Sequence, residues 1–144
     1  MTLWIVLLLL LAVLSPLVWL LPSKGQRGRM EIRLQARRMG LAMQLSRQDW
    51  PHWLVQEPPH ACAQYYRPRL RGREAWCYWQ SEPGIWLNQW REPCVDPALL
   101  ANLAALPGDV YKVEASSQMI ALCWGERGSA EELQRIADTL KALA

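Results

Sequence analysis

Apolar residues fall along this chain in three rhythms, and each predicts a different kind of element. The first is an unbroken run. Leu3 to Leu21 is 19 residues without a charge, interrupted only by Ser15 and Pro16. At about 1.5 Å of rise per residue, such a helix matches the thickness of a bilayer core. Only Met1 and Thr2 precede it, and no small-residue cleavage site surrounds Trp19-Leu20-Leu21-Pro22. The pattern therefore predicts a retained transmembrane anchor over residues 1–21, not a cleaved signal peptide. Trp4 and Trp19 stand near its ends, where indoles favour headgroups.

The second rhythm is helical. After a polar linker at residues 22–28, a helix is expected over about residues 29–48. On it Met30, Leu34, Leu41 and Leu45 share one face, and Ile32, Ala36, Met39 and Met43 the opposite one. A surface helix ordinarily needs one apolar stripe, so two stripes predict contact on both sides. Two shorter helices follow. Asp96-Pro97 is a start signal for a helix that stops before Pro107-Gly108. Ser129 and Glu132 have capping-box spacing ahead of Leu133, Ile136, Leu140 and Leu143, which share a face.

The third rhythm is alternation. It predicts strands at about residues 64–70, 74–80, 85–90, 109–115 and 118–124, while proline-rich 49–63 reads as an irregular connection. The order predicts an α+β fold: one transmembrane helix, then a small cytoplasmic domain with a mainly antiparallel sheet of about five strands packed by two or three helices. The expected divisions are the anchor (1–21), a basic juxtamembrane linker and helix (22–48) and a tryptophan-rich α+β domain (49–144). About 120 residues after the anchor allow one modest core.

Charge orients the anchor. Lys24, Arg27, Arg29, Arg33, Arg37 and Arg38 follow it closely, and only the terminal amine precedes it. The positive-inside rule then places the N-terminus outside and the domain in the cytoplasm of a bacterial inner membrane. The residues from Pro22 to Arg73 carry 11 basic against 3 acidic groups, and those from Glu74 onward 5 against 10. The basic half adjoins the anchor, so the expected partner of its side chains is a bilayer with anionic headgroups. Arg67, Arg69, Arg71 and Arg73 alternate, and in a strand they would form one arginine face suited to the same surface. Tyr65 and Tyr66 beside them also fit a nucleic-acid site, a reading ranked below lipid.

Nine tryptophans and no phenylalanine set this composition apart. Four of the tryptophans fall in the expected hairpin around Pro83-Gly84. A tight turn there places Cys77 and Trp79 with Trp86, Asn88 and Trp90, and places Trp76 and Tyr78 with Ile85, Leu87 and Gln89. Both faces are then apolar, whereas a half-solvated hairpin shows one polar face. Either the chain covers both, the preferred reading, or one face docks another membrane or cytoplasmic protein. Trp79, Trp86, Trp90, Trp76 and Tyr78 are the candidate partner-binding residues.

Candidate chemistry is sparse. Cys62, Cys77, Cys94 and Cys123 lie far apart with no C-x-x-C pair, and the cytoplasm keeps thiols reduced. His52, His60 and Cys62 lack the paired spacing of a structural zinc site. No phosphate-binding loop, dinucleotide fingerprint or nucleophile elbow occurs. The expectation is a non-catalytic, single-pass interaction or accessory protein without cofactor or metal. Its alternatives are a Cys/His-dependent enzyme or metal sensor, an auxiliary component of protein translocation, and a membrane-tethered nucleic-acid binder. The translocation alternative rests on architecture alone, which the chain shares with small accessory subunits of bacterial membrane complexes, including those of the Sec translocon; no motif supports it.

Overall fold

The computed structural model describes residues 1–20 and 24–144, and the chain divides into two compact units, Met1–Glu31 and Ile32–Ala144. Residues 21–23 of the expected anchor and linker, and the side chains of Trp19 and Lys24, lie outside the described residues.

In the first unit, α1 spans Thr2–Leu20, 19 residues with Pro16 inside. Its described large apolar side chains are all exposed, from 52% at Leu14 to 83% at Leu3. The structure bears out the helix but not the span: among the described residues no helix is long and apolar enough to cross a membrane. Leu17, Trp19 and Leu21 of the apolar run are not among the side chains described. Helix α2, Lys24–Arg38, begins where a linker was expected and continues into the second unit.

The second unit is an α+β domain on a six-stranded, wholly antiparallel sheet. The strands are β1 (Ala42–Arg47), β2 (Ala61–Pro68), β3 (Trp76–Glu82), β4 (Ile85–Leu87), β5 (Val110–Ala115) and β6 (Met119–Trp124). Their spatial order is β1-β2-β6-β5-β3-β4. Helix α3 (Pro97–Ala104) joins β4 to β5, and α4 (Ala130–Leu143) closes the chain.

The expected helix over residues 29–48 is corrected here. It ends at Arg38 in a Schellman turn: Leu41 N–H donates to Ala36 O at 3.0 Å and Gly40 N–H to Arg37 O at 3.1 Å. Gly40 holds φ +84°, a left-handed conformation that costs glycine little. Ala36 and Leu41, the apolar pair that usually accompanies this motif, are both buried. What looked like a second helical stripe is partly β1, whose Met43 packs against the core.

Both later helices start as their sequences predict. Asp96 caps α3 by accepting from Ala98 N–H at 3.0 Å. Ser129 and Glu132 form the reciprocal capping box of α4. Leu133, Ile136 and Leu140 of α4 are fully buried against one face of the sheet, on which Ala63, Tyr65, Val113, Ile120, Leu122 and Trp124 stand. This is the main core.

Register at the β3–β4 hairpin departs from expectation. Trp79 pairs with Leu87 and Gln80 with Trp86, and the register then shifts so that Glu82 pairs with Ile85. Ser81 is the extra residue. One inserted residue reverses which face every later side chain occupies. Trp86 therefore joins Trp76 and Tyr78 on the helix-covered face, with 2% exposure, and not Trp79. Gln80, 1% exposed, holds the bulge. Its Nε2 donates to the carbonyls of Val110 (2.7 Å) and Pro107 (3.1 Å), and its Oε1 accepts from Gly84 N–H at 2.8 Å.

The opposite face of the sheet is partly strapped by residues 48–60. Trp50 meets Tyr111 edge-on at 5.9 Å and Trp53 meets Trp79 at 6.2 Å. Val55 N–H donates to the bulge carbonyl of Ser81 at 3.2 Å. The segment that reads as an irregular connection thus covers Trp79.

Candidate functional site

With both faces of the hairpin partly covered, the five candidate tryptophan and tyrosine residues separate. Trp86 is core, and Trp79 is packed beneath Trp53 with the Lys112 ammonium 5.6 Å from its ring centre. Trp76, Tyr78 and Trp90 instead line a cleft of about 440 Å³, together with Cys77, Asn88 and Glu114. Its size lies in the range of ligand sites.

The cleft exists because the two strands of the hairpin differ in length. β3 starts at Trp76, but β4 ends at Leu87, so Trp76, Cys77 and Tyr78 pair with β5 and have no β4 partner. Beyond Leu87 the chain leaves the sheet in a tight loop. Asn88 organises it: its Oδ1 accepts from Trp90 N–H at 3.0 Å and Glu92 N–H at 2.9 Å, and its own N–H donates to Glu92 O at 2.9 Å. Arg91 adopts φ +62°, a conformation that costs a residue with a side chain about 1–2 kcal/mol. Leu87 and Pro93 bridge the loop's base. The product of this strained loop is an indole held at the cleft mouth with 70% exposure, that of Trp90.

The walls are ordered. Trp76 and Tyr78, two residues apart on β3, have ring centres 5.8 Å apart at 48° and pack partly against the core. Glu114 is fixed by Gln64 Nε2 at 3.0 Å and Lys112 Nζ at 3.3 Å. The pKa of Tyr78 is raised, first by burial, then by the neighbouring Cys94 thiol and by the nearby charges of Asp96 and Glu92.

The arginine candidates are placed differently from expectation. β2 ends at Pro68, so Arg67, Arg69, Arg71 and Arg73 do not form one strand face. Arg69 turns inward on its own loop, donating to the carbonyls of Arg71 and Glu74 at 3.0 Å and of Ser116 at 3.2 Å. Arg71 and Arg73 are exposed in that loop. Arg33 is likewise committed: its guanidinium forks onto Glu126 at 2.8 and 2.9 Å. Arg27, Arg29, Arg37 and Arg38 are exposed on α2.

Sequence reasoning missed Glu126. Its carboxylate, 5% exposed, takes that fork and also the Tyr65 hydroxyl at 2.8 Å, from a backbone at φ +59°. Tyr65 is fully buried and its pKa is raised, chiefly by burial and then by Glu126. Gly125-Glu126-Arg127-Gly128 carries no linear signal for this role, because its partners lie 93 and 61 residues away.

All four cysteines are free thiols. Cys62 and Cys123 form a small buried cluster with Tyr111 beneath Trp50. The pKa of Cys123 is pushed up by the neighbouring Cys62 thiol and by burial. Among the described residues no group of three His, Cys, Asp or Glu side chains converges as a metal site requires. No family model, curated protein or solved structure matches the chain.

Proposed function

We propose that this chain is a non-catalytic, membrane-anchored interaction protein whose domain holds a protein partner at the Trp90 cleft. The observation that carries this reading is a large indole kept 70% exposed by a loop with a left-handed Arg91 and an Asn88 clamp. Strained, well-bonded backbone concentrates where function requires it, and tryptophan is a preferred interface anchor.

The anchor half of the reading rests on sequence and on the helix. The chain carries no charged side chain from Met1 to Ser23, and α1 occupies most of that stretch with its described apolar side chains unburied. The basic residues that follow favour a cytoplasmic domain next to anionic lipid in a bacterial inner membrane. A nucleic-acid role has less support, because Arg69, the centre of the basic segment, already satisfies three backbone carbonyls.

The test compares wild-type and Trp90→Ala full-length protein, crosslinked in native membranes and purified in mild detergent. The reading expects a defined partner with the wild type, its loss from the variant, and the same thermal midpoint for both. Identical partner yields from both proteins contradict it.

A further inference from the structure

Helix α2 leaves uncovered one of the two apolar stripes read from its sequence. Ala36 is fully buried, and Ile32 packs against the core. At about 100° of turn per residue, Met30 and Leu34 point the other way, and each is 55% exposed. The roll of the helix is fixed by the domain. Arg33 is forked onto Glu126, and the turn at Gly40 ties Ala36 O to Leu41 N–H. Exposed arginines border the open stripe, Arg27 and Arg38 on one side and Arg37 on the other. Glu31, the one acidic residue of α2, stands farther round the helix than Arg38. The open face is therefore apolar along its centre and basic along its edges.

We infer that this face of α2 lies in the headgroup layer of an anionic bilayer, with Met30 and Leu34 inserted towards the acyl chains and Arg27, Arg37 and Arg38 on lipid phosphates. The inference rests on the proposed anchor and adds a second, interfacial contact to it. Two observations select lipid as the occupant. The first is reach. α2 begins four residues after the end of α1, a path of at most about 14 Å. Met30 stands only about 9 Å farther along the helix. An anchored α1 therefore holds the open stripe close to the membrane surface. The second is charge. Arginines beside an apolar stripe complement lipid phosphates, and their long side chains reach the headgroups while the stripe sits deeper. The contact has a consequence for the domain. Arg33 and Ala36 fix the roll of α2 against the sheet domain, so a lipid-bound α2 fixes how that domain is turned towards the bilayer.

The experiment places a diazirine-bearing photo-crosslinking amino acid at position 10, 30, 34 or 35 of the full-length protein. The protein is reconstituted in phosphatidylcholine vesicles with or without phosphatidylglycerol, and mass spectrometry counts lipid adducts. Position 35 is the control, because Gln35 is exposed on the same helix but about 100° from Leu34. With phosphatidylglycerol present, positions 30 and 34 should give at least about fivefold more lipid adduct than position 35. Omitting phosphatidylglycerol, or combining the exposed substitutions Arg37→Gln and Arg38→Gln, should cut the yield at position 34 about threefold or more. Unchanged thermal midpoints exclude unfolding as the cause. Equal lipid yields from positions 34 and 35, or crosslinks from position 34 to a second protein chain in place of lipid, overturn the inference. Position 10, inside α1, separates it from the anchor reading. Lipid adducts at position 10 with none at positions 30 and 34 leave the anchor standing and remove the interfacial face. None at any of the three removes both.

Discussion

Glu126 is the residue whose replacement tests the fold most sharply. Its carboxylate sits at 5% side-chain exposure and receives three hydrogen bonds, two from Arg33 and one from Tyr65. Glu126→Ala removes all three. The Tyr65 hydroxyl, on a fully buried side chain, then loses its partner, a cost of about 1–3 kcal/mol. The Arg33 side chain is 32% exposed and can turn to water, so its share is that of a partly screened pair, about 1 kcal/mol. The sum is roughly 2–4 kcal/mol, a large part of a small domain's stability. Backbone strain supplies an internal control. Alanine keeps the cost of φ +59°, whereas Glu126→Gly relieves it and should be more stable than Glu126→Ala by about 1 kcal/mol. Glu126→Gln retains an acceptor for Tyr65 and should lose only about 1 kcal/mol. Urea unfolding of the full chain in mild detergent, followed by tryptophan fluorescence, ranks them wild type, Gln, Gly, Ala. An alanine variant within about 0.5 kcal/mol of wild type would refute the network. So would a glycine variant less stable than the alanine one.

Trp86→Ala should cost about 3–5 kcal/mol by opening a core cavity, while Trp90→Ala should stay within about 0.5 kcal/mol; equal effects in urea unfolding would contradict the observed hairpin register. Burial pushes the Cys77 thiol up to about 12. An unfolded thiol titrates near about 8.5, so this contribution is complete below that pH and is lost as pH rises towards the folded value. Stability should fall above about pH 9, by no more than about 1.4 kcal/mol per pH unit from this thiol. Cys77→Ala should flatten the slope; an unchanged slope in urea midpoints measured from pH 8 to 10 would contradict the assignment.

Much of the fold is legible in local signals. Asp96-Pro97 and Ser129 with Glu132 each act through neighbours a few residues away, and each is where its pattern places it. Long-range effects are not legible in the same way. The helical stripe through residues 41–48 fails because Gly40, after Arg37 and Arg38, ends the helix, and the six residues of β1 are too few to separate helical from strand periodicity. The hairpin faces fail because Ser81 is an extra residue, and what secures it is Gln80 bound to carbonyls about 30 residues away. The strap over Trp79 is hidden for a related reason: Trp50 and Trp53 find their partners across the sheet. Among the candidate binding residues, Trp90 is separated from Trp86 by that one-residue bulge and by the early end of β4.

The central claim, that Trp90 contacts a protein partner, is tested most directly by a photo-crosslinking amino acid placed at position 90 in living cells. Position 100, where Leu100 is also exposed but lies outside the cleft, serves as the control. The account predicts a discrete crosslinked protein from position 90 and none of the same mass from position 100. The same adduct from both positions, or none from position 90, would contradict it.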